Sequence, residues 1–140
     1  MKKVISLFFS SILLVLVSCE EKNNDEEILP EYGSISGNVN FTGTWPDTGE
    51  VLITLDTVYP PQGPPAKFSY ITSDNVQSGN YSFSFDSLSF RTYDAVTITY
   101  WSLGYATAGT NYILIGSYIN SIDLTQDNPD FTIDIDANFN

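Results

Sequence analysis

The chain reads as an all-β protein, a single antiparallel β-sandwich of about seven strands behind an N-terminal leader and an acidic tether. Three observations predict it. From residue 33 onward apolar residues recur with a period of two, mostly in β-branched and aromatic types. Turn signals rich in glycine, asparagine and proline separate the alternating runs. No window carries the 3.6-residue apolar period of an amphipathic helix.

Residues 1–18 form the leader. Met1-Lys2-Lys3 is a short basic start, and Val4 to Val17 is an apolar run interrupted only by serines. The run falls short of the ~20 residues that span a bilayer as a helix. A basic start, a short apolar stretch and a small-residue cut site read as a secretory signal. The ending Leu16-Val17-Ser18-Cys19 resembles the bacterial lipobox. That resemblance implies that the Cys19 thiol is alkylated by diacylglycerol and that the chain is cut just before it. One acyl chain anchors only reversibly, at ~0.8 kcal/mol per buried methylene, so a stable anchor takes more than one chain. An ordinary cleaved signal beside an incidental cysteine is the plainer alternative.

Residues 19–32 are the tether. Glu20 to Glu27 hold almost nothing apolar, so ordering them brings no compensating burial and the segment is expected to stay disordered. Acids directly after the cysteine resemble the lipoprotein export signal of Bacteroidetes-type bacteria. The implied address is the outer membrane, lipid-anchored and displayed on the cell surface, with a periplasm-facing placement as the alternative.

The folded domain is expected over residues 33–140. All seventeen acids of the chain follow Cys19, against only Lys22, Lys67 and Arg91, so that portion carries a side-chain charge of −14. Such a charge argues against a nucleic-acid partner, whose phosphates need a basic footprint. It also leaves the lipid anchor as the membrane contact, with no electrostatic docking on anionic lipid. Cys19 is the only cysteine, so no disulfide is available and one hydrophobic core must hold the domain.

The strands follow in order. Ile35, Gly37, Val39 and Phe41 alternate with polar neighbours, as do Val51, Ile53 and Leu55, then Tyr81, Phe83 and Phe85, then Val96, Ile98 and Tyr100. Asn111 to Tyr118 is apolar on both faces, which predicts a central strand. Phe131, Ile133, Ile135, Ala137 and Phe139 alternate with Thr132, Asp134, Asp136 and Asn138, the pattern of an edge strand whose outward acids oppose further pairing. Turns are expected at Thr48-Gly49, Ser78-Gly79-Asn80, Ala108-Gly109-Thr110 and Asp127-Asn128-Pro129.

Within this pattern Ile35-Ser36-Gly37-Asn38-Val39, Gly79-Asn80-Tyr81-Ser82-Phe83, Leu88-Ser89-Phe90-Arg91-Thr92-Tyr93 and Gly104-Tyr105 resemble the carboxypeptidase-regulatory-like domains, a transthyretin-like β-sandwich group. The resemblance covers most of residues 33–105. It implies a left-handed Gly79 at a strand start, Leu88 plugging the sandwich end, and Tyr93 tying its hydroxyl back to nearby backbone. Arg91 stands where the group usually has glycine. The resemblance implies an accessory module with no peptidase site.

Candidate sites are few. With no histidine in the chain, Ser-His and Cys-His nucleophilic arrangements and histidine-bearing zinc sites are excluded. Asp123, Asp127 and Asp130, with Asn128, offer the hard oxygens that calcium takes, although no EF-hand spacing is present; Asx turns before Pro129 explain the same acids. No other cofactor is expected. Trp45-Pro46 and the run Tyr59-Pro60-Pro61-Gln62-Gly63-Pro64-Pro65 form two aromatic-proline loops. Trp45 and Tyr59 can serve as a rigid aromatic platform for a glycan or protein partner. The plainer reading of the second loop is a stiff connection that crosses from one sheet to the other. Trp101, Tyr105 and Tyr112 read as core filling. The expected function is a non-catalytic, lipid-anchored envelope protein, an accessory or interaction module; the alternative is a carbohydrate-binding surface lipoprotein.

Overall fold

The computed structural model describes residues 28–107 and 109–140. The leader, Cys19 and most of the acidic tether therefore lie outside the described residues. Nine strands follow one another: β1 (Gly33–Gly43), β2 (Glu50–Asp56), β3 (Lys67–Ile71), β4 (Asn80–Leu88), β5 (Thr92–Tyr93), β6 (Ala95–Trp101), β7 (Ile113–Tyr118), β8 (Ile122–Asp123) and β9 (Asp130–Phe139). A 3-10 turn, Ser73–Asn75, precedes β4. Among the described residues no helix is long and apolar enough to cross a membrane.

The alternating residues sort themselves into two layers. One sheet has the order β4-β1-β9, the other β3-β2-β6-β7, and β5 pairs with β8 as a short ribbon. Ile35, Val39, Phe83, Phe85, Ile133 and Ile135 face inward from the first sheet and meet Val51, Ile53, Leu55, Val96 and Ile98 of the second. Leu88, Tyr93, Ile122 and Leu124 complete the same core. Each fully buried aliphatic side chain contributes about 1.5–3 kcal/mol relative to exposure, which is how the domain stands without a disulfide.

Four features depart from the sequence expectation. β1 and β9 run parallel, with Gly37 opposite Ile133 and Val39 opposite Ile135, inside an otherwise antiparallel fold. No hairpin joins the first strand to the last, so no tight turn dictates their relative direction; the rest of the domain is the crossover. β7 is an edge strand of the four-stranded sheet, not a central one, and its Ile113 and Leu114 are 59% and 43% exposed. β3 lies in a stretch without a predicted strand, because its outward residues Phe68 and Tyr70 are aromatic and mask the alternation. The proline-rich loop after β2 returns to β3 in the same sheet and does not cross between sheets.

The turn and corner chemistry is as the residues suggested. Gln77 and Asn80 exchange backbone hydrogen bonds of 2.9 Å around Ser78 (φ +52°) and Gly79 (φ +79°), a two-residue turn of left-handed residues that feeds β4. The Tyr93 hydroxyl donates to the Ser89 carbonyl at 3.1 Å. Arg91 keeps a negative φ, and the left-handed residue near that corner is Ser87 (φ +56°).

The outer face of the three-stranded sheet is a polar lattice. Ser82 donates to the Asn38 amide oxygen (2.8 Å), and Asn38 donates from its side chain to Asp134 (3.1 Å). One register along, Asn80 donates to Asn40 (2.8 Å) and Asn40 to Asp136 (3.2 Å). The outward acids of β9 are thus held by asparagines of β1.

Candidate functional site

The outer face of the four-stranded sheet is different. Leu52, Thr54 and Asp56 on β2 and Thr97, Thr99 and Trp101 on β6 point away from the core, and alternation alone predicts that they meet water. They are buried: Thr54 is 8% exposed, Asp56 4%, Thr97 3% and Thr99 5%. Two loops bury them. β2 and β6 are antiparallel, Glu50 opposite Trp101 and Asp56 opposite Ala95, so the loop 57–66 leaves at one end of the pair and the loop 102–112 at the other. Both fold over the sheet and leave a groove of about 790 Å³ between them. That lies within the ~300–1,000 Å³ typical of small-molecule sites.

The walls are apolar. Tyr59, Pro61, Pro64 and Pro65 stand on one side, Tyr105, Tyr112 and Leu114 on the other. Trp101 anchors the second wall, with its ring 5.0 Å from Tyr105 in an edge-to-face arrangement and 4.8 Å from Tyr112. Phe68 of β3 extends the aromatic surface at 5.5 Å from Tyr105. The loop holding Tyr105 is pinned by charge: the Glu50 carboxylate accepts the Tyr105 backbone N–H at 2.7 Å.

The floor is a chain of polar groups whose proton directions can be worked out. Thr54 donates its one hydroxyl proton to an Asp56 carboxylate oxygen at 3.0 Å. The Thr54 and Thr97 hydroxyl oxygens are 2.7 Å apart. Because the Thr54 proton is committed to Asp56, Thr97 must be the donor in that pair, and its oxygen has only acceptor capacity left. Trp101 donates from its indole N–H to the Thr99 hydroxyl oxygen at 2.8 Å, so the Thr99 proton remains free. Among the described residues no buried side-chain nitrogen or oxygen lacks a partner. No described residue donates to the second Asp56 oxygen, which therefore opens into the groove. The floor thus presents two acceptors, Asp56 and Thr97, and one donor, Thr99.

Burial pushes the Asp56 carboxyl above its ordinary value, and the hydrogen bond from Thr54 opposes part of that shift. No lysine or arginine lines the groove among the described residues.

The residues singled out from sequence are distributed over the molecule. Tyr59 lines this groove. Trp45 does not: it is half-buried, 5.2 Å from Phe41 and 4.9 Å from Phe139 in edge-to-face contacts, beside a separate depression formed with Tyr70 and Ser73. The two aromatics therefore make no common platform. Asp123 accepts from the Thr92 hydroxyl, Asp130 accepts from Ser34 at 2.7 Å, and Asp127 is exposed on the connection between them. Among the described residues no three acidic or sulfur- or nitrogen-bearing ligands converge as a metal would need, so these aspartates do not form a group. Cys19 lies outside the described residues.

Sequence reading missed Asp56, Thr54, Thr97 and Thr99; of the aromatics it read as core filling, Trp101 is buried against Leu52 with Tyr105 packed on it, whereas Tyr112 is exposed. The available signal was the pairing of Thr-x-Asp on β2 with Thr-x-Thr-x-Trp on β6, each followed by a long loop. No family model, no curated protein and no solved structure matches this chain.

Proposed function

We propose that this chain is a non-catalytic, lipid-anchored protein of the bacterial cell envelope, an accessory module that binds a ligand or partner in the groove over its four-stranded sheet. The observation that carries the binding role is the groove floor, where a buried carboxylate and threonine hydroxyls face an aromatic-walled space. Buried polar groups are costly unless hydrogen-bonded, and a set that keeps acceptor and donor capacity toward an open groove suits a ligand.

The non-catalytic part rests on the chemistry that the groove offers. Among the described residues it holds one carboxylate, where glycoside hydrolysis uses a pair, and the chain has no histidine to serve as a base at neutral pH. The envelope address rests on the leader and on Leu16-Val17-Ser18-Cys19. The resemblance of residues 33–105 to carboxypeptidase-regulatory-like domains supports the accessory role.

Fractionation of expressing cells tests the address. The wild-type chain is expected in the outer-membrane fraction and to take up a labelled fatty acid, and Cys19→Ala to take up none and keep its leader; protease treatment of intact cells, removing the protein if it is displayed, separates surface from periplasm-facing placement. A wild-type chain that takes up no label, or a Cys19→Ala chain that still does, would overturn the anchor.

A further inference from the structure

We infer that the groove over the four-stranded sheet is a saccharide-binding site that takes an uncharged sugar chain and rejects uronates. This rests on the reading of that groove as a binding site and names its ligand class.

Three features of the groove converge on that class. Sugars present hydroxyls that donate and accept at once, beside flat C–H faces. The floor answers the first property: the free Asp56 oxygen and the Thr97 oxygen accept, and the Thr99 hydroxyl donates. The walls answer the second: Tyr59, Tyr105 and Tyr112 supply ring surface at low conformational cost, with Trp101 backing the latter two. Charge decides among sugars. Asp56 is 4% exposed and no cation lines the groove among the described residues, so a second carboxylate brought beside it would find no compensation.

A peptide strand suits this floor less well. β2 and β6 are interior strands, each paired on both sides, so their backbone groups are consumed in the sheet and cannot take up an added strand. Only side chains face the groove.

The chain has two tryptophans, Trp45 and Trp101, so Trp45→Phe leaves Trp101 as a reporter inside the groove. The full chain carrying Trp45→Phe, in detergent micelles, is titrated with a neutral β-glucan, a neutral mannan, a neutral xylan, polygalacturonate and a proline-rich peptide. The expected result is a saturable change in Trp101 emission with at least one neutral polymer and none with polygalacturonate. Adding Asp56→Asn should weaken the neutral polymer about tenfold and relax the exclusion of polygalacturonate. Adding Tyr112→Ala at the exposed rim should weaken it without changing that selectivity. Polygalacturonate binding as tightly as the neutral polymers would overturn the inference. So would silence of all polymers: if the peptide alone moves Trp101 emission, the saccharide class falls and the groove remains a binding site. If nothing moves it, both readings fall.

Discussion

Gly37 of β1 lies against the backbone of Ile133 of β9 so closely that a Cβ on Gly37 would stand 1.6 Å from the Ile133 carbonyl oxygen. Its φ of +155° adds a conformation that side chains rarely adopt. The contact lies inside the β1–β9 pair, the one parallel pairing among the described strands. Gly37→Ala should therefore cost ~4 kcal/mol or more and leave little folded protein, as judged by thermal unfolding of whatever is recovered. Gly63→Ala, with open space around the added methyl, should stay within about 0.5 kcal/mol of wild type.

Asp56 makes stability depend on pH in a predictable direction. Burial raises its folded-state pKa, so the folded protein holds that proton more tightly than the unfolded chain. The cost of the ionised, buried carboxyl is fully present above the folded pKa and disappears as pH falls below the ordinary value of 3.8. Asp56→Asn keeps an acceptor for Thr54 and cannot ionise. It should melt above wild type at pH 7, with the gap closing as pH is lowered through that window. A gap that is constant with pH, or that widens toward acid, would contradict the assignment.

Trp45 belongs to the Phe41–Phe139 cluster at the sandwich end. Trp45→Ala should lower stability by ~2 kcal/mol, less than for a fully buried aromatic because the ring is half-exposed. Denaturant titration measures this, and ligand affinity at the groove should be unchanged.

The Tyr93 hydroxyl has one hydrogen bond, to Ser89, and its ring is in the core. Tyr93→Phe keeps the packing and loses the bond, so it should cost about 1 kcal/mol in chemical denaturation. Tyr93→Ala should cost about 3–5 kcal/mol.

Glu50 tests how the groove wall is held. Glu50→Ala removes the acceptor of the Tyr105 N–H, and amide exchange at Tyr105 should accelerate while the β2–β6 amides stay protected. Equal acceleration in both places would mean that Glu50 supports the whole sheet and not the loop.

How much of this was legible in the residues depends on the range of the interaction concerned. The inward set, such as Ile35, Val39, Ile53 and Ile98, is visible because a strand's two faces alternate and burial of one face is a local property of the pattern. The Gly79 turn and the Tyr93 corner are local too, each closed within a few residues. β7 misled because two-sided apolarity has two causes: a central position, or an edge whose outward side chains line a groove, as Leu114 does.

The chain's residues, taken alone, determined an all-β sandwich, its acidic charge, the absence of histidine chemistry and the single cysteine at position 19. Tertiary structure alone decided the parallel partnership of β1 with β9 and the burial of Thr54, Asp56, Thr97 and Thr99. Both depend on residues far apart in the chain: strand partnership is not written in a strand's own pattern, and neither is burial of its outer face. Alternation states which residues share a face, but whether that face meets water depends on where distant loops come to rest. The loops 57–66 and 102–112 converge over one sheet from opposite ends, and only their meeting turns a polar outer face into a closed floor with a carboxylate in it.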